Sequence, residues 1–102
     1  MEWYNYVAAF FSGAFLSNAI PHFVKGTSGD KFPTPFSKPP GKGLSSPVVN
    51  VLWGTLNIIL GYILLKVSHV AGDNIISLIV FFTAVTAKSL GSAINFQKKD
   101  KE

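Results

Sequence analysis

Residues 47–67 have the sequence PVVNVLWGTLNIILGYILLKV, an apolar run in which Lys66 is the only charged residue. At about 1.5 Å per residue, a helix of this length spans the hydrocarbon core of a bilayer, which is about 30 Å thick. Similar runs occupy residues 3–23 before it and residues 75–96 after it, the latter interrupted by Lys88. The pattern predicts an all-α membrane protein with three transmembrane helices in a single domain.

The composition agrees with this interpretation. The 102 residues are 48% hydrophobic and only 14% charged, whereas a soluble domain carries about 25% charged residues. A soluble enzyme and a disordered chain are therefore both disfavoured. Because Met1-Glu2 is acidic and no small-residue cleavage pattern follows the first run, we expect a retained helix rather than a signal peptide.

The first connection, residues 25–46, differs in character from the helices. All six prolines of the chain fall between Pro21 and Pro47, which excludes a regular helix or strand there. Phe32 and Phe36 favour an ordered Pro/Gly-rich loop that packs these rings on the bundle or at the interface. Ser46 before Pro47 is a typical N-cap followed by a first-turn proline.

The second connection, residues 68–74, is short and predicts an antiparallel hairpin of the second and third helices. Gly72 suits the C-terminal cap of the second helix, and Asp73 suits the N-cap of the third.

Lysines predict the orientation. Eight of the nine lie in the long loop, in the polar tail 97–102 or just before it, and Lys66 alone lies toward the other side. By the positive-inside rule, the loop and the C-terminus are cytoplasmic and the N-terminus is outside. We therefore expect a multi-pass membrane protein with its loop and C-terminus in the cytoplasm.

Each predicted helix carries one stripe of small or polar residues, which favours close helix packing in lipid. The stripes predict a bundle with its polar faces inward, and they also leave open a homo-oligomer. They comprise Ala9, Gly13, Ser17 and Pro21; Pro47, Asn50, Gly54, Asn57 and Gly61; and Ser77, Ala84, Lys88, Gly91 and Asn95.

Six polar residues converge in the cytoplasmic half of the predicted bundle. Polar groups are expensive inside a membrane and are therefore candidates for function. They predict either a ligand-binding pocket beneath the long loop or a hydrogen-bonded network that only fixes the bundle. For Lys88 a simpler alternative is snorkelling to the interface. The six are Asn18, His22, Asn50, Lys88, Ser92 and Asn95.

We further expect Asn50 to bond to the first helix or to the loop, close to Asn18 and His22. Asn57, deeper on the same stripe, is expected to serve packing only.

The end of the long loop has the ingredients of an anion or lipid-headgroup site, because glycines, a lysine and a helix N-terminus follow one another. The alternative is a turn and an N-cap that position the second helix. The candidate residues are Gly41, Lys42, Gly43, Ser45 and Ser46.

Enzymatic chemistry has few candidate parts here. None of the five acids lies within a predicted span, His22 and His69 fall on opposite sides, and the chain has no cysteine. Paired carboxylates, thiolate metal sites and haem ligation by the two histidines are thereby excluded. We expect no catalytic residue, no metal and no cofactor.

Three segments carry a resemblance: NAIPHFVKG at residues 18–26, FPTPF at 32–36, and PPGKGLSSPVVNVLWG at 39–54. Together they resemble a group of small bacterial integral membrane proteins of uncharacterised function. The resemblance implies a bacterial inner membrane and supplies no reaction or ligand.

Two hypotheses follow from the sequence. The first is a non-enzymatic subunit or interaction module. The second is a ligand- or headgroup-binding or transport unit that acts as an oligomer. In both, the expected partners are membrane lipids and either a second copy or a larger membrane complex, with no nucleic acid.

Overall fold

Three helices make up the fold, and the computed structural model describes residues 2–70 and 74–99. They are α1 (Trp3–Thr27), α2 (Pro47–Ser68) and α3 (Ile75–Phe96). All three are long and apolar enough to cross a membrane, and no β-strand occurs in the described part of the chain. The prediction of an all-helical protein with three candidate membrane spans is confirmed.

The pattern of buried and exposed side chains is the reverse of that in a soluble protein. The buried side chains of the helices are small or polar, among them Ser12, His22, Asn50 and Asn57, whereas the large apolar side chains are mostly exposed. In water such a surface would be unstable, but in lipid it is the surface that meets the hydrocarbon. The three spans therefore describe a multi-pass membrane protein.

Helix α1 is the centre of the bundle, because α2 and α3 both pack on it. No Cα of α2 lies within 8 Å of a Cα of α3 among the described residues. The second and third helices run in opposite directions, as the predicted hairpin requires, but they do not pack on each other. The reason lies in α1, whose small residues face α2 on one side, while Gly13 and Ser17 face α3 on another.

Polar bonds join α1 and α2 along their whole length, and their order shows that the two helices run antiparallel. Glycines bring the backbones together between these bonds, since a Cβ on Gly54 would lie 2.9 Å from the backbone nitrogen of Phe23. The bonds are Asn5 Nδ2 to Val67 O (3.3 Å), Ser12 Oγ to Gly61 O (2.8 Å), Asn18 Nδ2 to Asn57 Oδ1 (3.0 Å) and His22 Nδ1 to Asn50 Oδ1 (2.9 Å).

Helix α3 runs parallel to α1. The Ser17 hydroxyl lies 2.7 Å from that of Ser89 and donates to Val85 O at 3.3 Å. The predicted stripe of α3 packs only in part, because Ala84 is buried while Gly91 is exposed with open space around it. The ends that meet the long loop and the C-terminal residues therefore lie together.

The helix ends differ from the predicted ones at three places. Helix α1 continues past Pro21 to Thr27, because contacts such as that of Gly26 with the α2 backbone outweigh the local cost of a proline. The C-cap of α2 is His69 in a left-handed conformation, and the N-cap of α3 is Asn74. Gly72 and Asp73 lie outside the described residues.

Residues 28–46 connect α1 to α2 and fold back on themselves. Phe32 and Ser45 exchange backbone hydrogen bonds of 3.2 and 3.0 Å, and Thr34 and Ser45 join their hydroxyls at 2.6 Å. Phe32 is 5% exposed and packs on Phe96 of α3. Phe36 remains 66% exposed, although its ring meets that of Trp53 edge-on with 5.3 Å between the ring centroids. One ring is thus packed in the bundle and the other lies at its edge.

Candidate functional site: a polar groove between α2 and α3

A groove of about 500 Å³ lies between α2 and α3, with α1 as its floor and residues 33–35 and 40–41 over one end. It exists because the two outer helices pack on α1 and not on each other. Its volume falls within the ~300–1,000 Å³ of typical small-molecule sites. The polar side chains along it are Asn18, His22, Thr34, Asn57, Lys88 and Asn95.

Asn50 lies behind the groove, fully buried, and organises its covered end. Its side-chain nitrogen donates to the carbonyls of Phe32 (2.9 Å), Ser46 (3.1 Å) and Ser45 (3.3 Å). Because that nitrogen faces three carbonyls, the Oδ1 atom faces Nδ1 of His22 at 2.9 Å. The predicted bonding of Asn50 is confirmed, and it reaches both α1 and the loop.

The Asn50 contact also sets the tautomer of His22. An amide oxygen only accepts, so Nδ1 of His22 carries the hydrogen and donates, and Nε2 of the neutral ring is left as an acceptor. Phe32, Trp53 and Phe96 surround the ring edge-on, with centroids at 5.4, 6.4 and 6.0 Å. The imidazole is therefore fixed in orientation at the groove.

Asn57 is a groove residue that the sequence reasoning assigned to packing alone. It is buried, accepts from Asn18 at 3.0 Å and donates to Trp53 O at 2.8 Å. Asn57 lies on the same stripe of α2 as Asn50 and one turn after Trp53. This spacing could have indicated that Asn57 belongs to the groove. The amide pair of Asn18 and Asn57 forms part of the polar lining.

Lys88 and Asn95 differ from the other polar groups of the groove. Neither side chain makes a hydrogen bond or ion pair within residues 2–70 and 74–99, and Asn95 is exposed. The indole nitrogen of Trp53, another lining residue, is buried without a partner in the same part of the chain. Lys88 and Asn95 thus offer the groove donors that the described protein does not use.

Ser92 lies apart from the predicted cluster. It lines a second groove of about 390 Å³ on the other side of the α1–α3 contact, with Ser17, Pro21 and Ser89. Its hydroxyl is buried and has no partner among the described residues. Ser92 and Asn95 are three residues apart on α3 and are therefore neighbours on the helix surface, yet they line different grooves, one on each side of the α1–α3 contact.

The loop end does not form an anion-binding nest. The backbone N–H groups of Gly41, Lys42, Gly43 and Ser45 all donate to loop carbonyls, at 2.8 to 3.2 Å. The Ser46 hydroxyl caps α2 by accepting from Val49 N at 3.2 Å. Of the candidates for headgroup binding, the exposed Lys42 side chain is the one that remains.

Within residues 2–70 and 74–99, no group of three or more His, Cys, Asp or Glu side chains is placed to hold a metal ion. No family model, curated protein or solved structure matches this chain.

Proposed function

We propose that this protein is a non-enzymatic binding module of a bacterial inner membrane, which holds a ligand with a polar end in the groove between α2 and α3. The observation that carries the proposal is a groove with six polar side chains along it, in a bundle whose remaining helical surface is largely apolar. Unpartnered polar groups are costly next to hydrocarbon. A ligand that supplied acceptors there would remove this cost.

The contrast between two sets of polar residues supports a binding role over mere packing. Along the α1–α2 contact, Asn18, His22, Asn50 and Asn57 bond to one another or to the backbone. A network that only fixed the bundle would need no polar side chain beyond the α1–α2 contact. Lys88, on the far wall, is not needed for that network.

For the topology we propose an N-terminus outside and a cytoplasmic C-terminus, with residues 28–46 as an ordered cytoplasmic cap. Support comes from the lysines, eight of which belong to the last turn of α1, the loop, the last part of α3 or the tail. The contacts of Phe32 with Phe96 and His22 agree, since they bring the loop and the end of α3 to one end of the bundle.

The non-enzymatic part of the proposal rests on the acids. Glu2, Asp30, Asp73, Asp100 and Glu102 all lie outside the apolar parts of the spans, and among the residues that the structure describes no carboxylate lines the groove for acid–base or nucleophilic work. We propose no catalytic residue and no cofactor for this chain, and no nucleic-acid partner.

Native mass spectrometry of protein extracted in native-membrane particles tests the proposal. We expect a small molecule to co-purify with the wild type and to be lost in Ala14→Trp, which fills the groove floor. Thr86→Trp, on the exposed face of α3, is the matched control and should retain it. A wild type without a bound molecule, or equal retention by both variants, would contradict the proposal.

A second candidate function is that of a subunit in a homo-oligomer or a larger membrane complex. It is favoured by an exposed shallow face of α3, where Thr83, Thr86 and Ala87 lie between bulkier residues. Small residues permit close helix approach in lipid. In the same spectra, a multiple of the chain mass that Thr86→Trp reduces to one copy would support this function.

A further inference from the structure

We infer that the ligand of the α2–α3 groove is an anionic amphiphile, with an acidic headgroup on Lys88 beneath the loop and a hydrocarbon chain along α1. The shared chemistry is a carboxylate or phosphate on a lipid chain, as in a fatty acid or an anionic phospholipid. This inference rests on the proposed function and specifies its ligand class.

The charge of the groove favours an anionic ligand. Lys88 is the one charged residue among the described residues that line the groove, and no acid stands among them. Its ammonium group has no ion-pair partner in residues 2–70 and 74–99. Next to the hydrocarbon, an ammonium without a partner favours an opposite charge. A headgroup with one acidic group meets this requirement, and a cationic one does not.

The second argument is the supply of hydrogen-bond donors. The amide of Asn95, an exposed lining residue, makes no bond to the described protein, and the same holds for the ammonium of Lys88. Carboxylate and phosphate oxygens only accept, and bonds from donors to such anions are the strong ones. The unused donors of Lys88 and Asn95 thus match the acceptor oxygens of an anion.

The third argument is the gradient of polarity along the floor. On one face of α1, Phe11, Ala14 and Phe15 are followed by Asn18 and His22 toward the loop. The distance along α1 from Phe11 to His22 is about 16 Å, close to one leaflet of a core that is about 30 Å thick. A headgroup at the loop end would place its chain against the two phenylalanines.

The position of Lys88 fits the same register. It precedes the end of α3 at Phe96 by eight residues, about 12 Å of helix. The long aliphatic part of the lysine side chain brings its ammonium group closer to the interface than its Cα atom is. The ammonium then lies at the level at which lipid headgroups meet the hydrocarbon.

Fluorescence quenching of Trp53 by brominated lipids tests the inference. Trp3→Phe leaves Trp53 as the sole tryptophan, because the chain has two. The probes are a dibrominated fatty acid, dibrominated phosphatidylglycerol and dibrominated phosphatidylcholine, each added to the protein in neutral lipid. We expect saturable quenching by one or both anionic probes and only the bulk level with phosphatidylcholine. Which of the two anions saturates first identifies the headgroup source.

Two lysine variants assign the site. Lys88→Gln should weaken binding of the anionic probe by roughly tenfold or more, and Lys88→Arg, which keeps the charge, should retain it. Lys66→Gln, which removes an exposed lysine at the opposite end of the bundle, is the matched control and should bind like the parent. Ala14→Phe should abolish saturable quenching by filling the floor.

The outcomes separate this inference from the proposed function. Saturable quenching by phosphatidylcholine that equals that of the anions, lost in Ala14→Phe and unchanged in Lys88→Gln, would overturn the anionic ligand and leave the groove as a binding site. Quenching at the bulk level by all three probes would overturn both. Equal losses in Lys88→Gln and Lys66→Gln would refute a role specific to Lys88.

Discussion

Replacing Asn50 by leucine should destabilise the bundle more than any other single Asn→Leu change at this end of the molecule. The substitution removes the acceptor of His22 Nδ1 and the donor to three carbonyls. Each of the three carbonyls keeps another donor, because Phe32, Ser45 and Ser46 also accept from backbone N–H groups. The imidazole N–H of His22 is the group left without a partner.

The magnitude follows from these bonds. A buried donor left unsatisfied costs about 1–3 kcal/mol. The two hydrogens of the lost amide contributed about 0.6 kcal/mol each on the scale of polar bonds between membrane helices. Asn50→Leu should therefore lower the free energy of unfolding by about 2–4 kcal/mol.

The assay is reversible unfolding in mixed micelles without added amphiphile, followed by helical circular dichroism. Asn95→Leu is the matched control, because Asn95 is exposed and makes no bond within the described residues, and it should change stability by less than about 0.5 kcal/mol. In a His22→Phe background, Asn50→Leu should lower the free energy of unfolding by a smaller amount, because no imidazole N–H remains to lose its partner. Equal stability of Asn50→Leu and Asn95→Leu, or strict additivity with His22→Phe, would refute the reasoning.

Gly54→Ala should lower the free energy of unfolding by about 1–3 kcal/mol, because its Cβ would meet the backbone of α1 at 2.9 to 3.1 Å; Gly91→Ala, in open space, should be neutral or stabilising in the same micelle assay. A reporter that is active only in the cytoplasm should work when fused after Glu102, and activity of a periplasmic reporter there would reverse the proposed topology. A cysteine at Ser37, 5% exposed, should react with a water-soluble maleimide far more slowly than one at the exposed Lys42, and equal rates would show that the loop is an open linker.

The sequence was sufficient for the elements that depend on local signals. Helices α2 and α3 have nearly the predicted bounds, because Ser46 and Pro47 mark a helix start and long apolar runs define the spans. The end of α1 was missed because Pro21 is a local signal for termination, whereas the contacts of His22 and Gly26 that extend the helix come from α2.

The arrangement of the helices required information that no single run contains. A short connection indicates neighbours in sequence, but α3 packs on α1 because Gly13 and Ser17 allow a closer approach there. For the same reason Ser92 fell on the far side of the α1–α3 contact and Asn57 entered the groove. The level of a polar residue along the bundle could be predicted from the sequence. The neighbouring helix that the residue faces could not.

Photo-crosslinking from the groove floor in native membranes tests most directly whether a specific ligand occupies the groove. A diazirine side chain is placed at Ala14, which lines the groove, or at Thr86, which faces outward on α3, and the intact mass is measured after illumination. The account predicts one discrete small-molecule adduct at position 14, and at position 86 either the mixture of the bulk lipids or a second protein chain. The bulk-lipid mixture at position 14, or a protein adduct there, would contradict it.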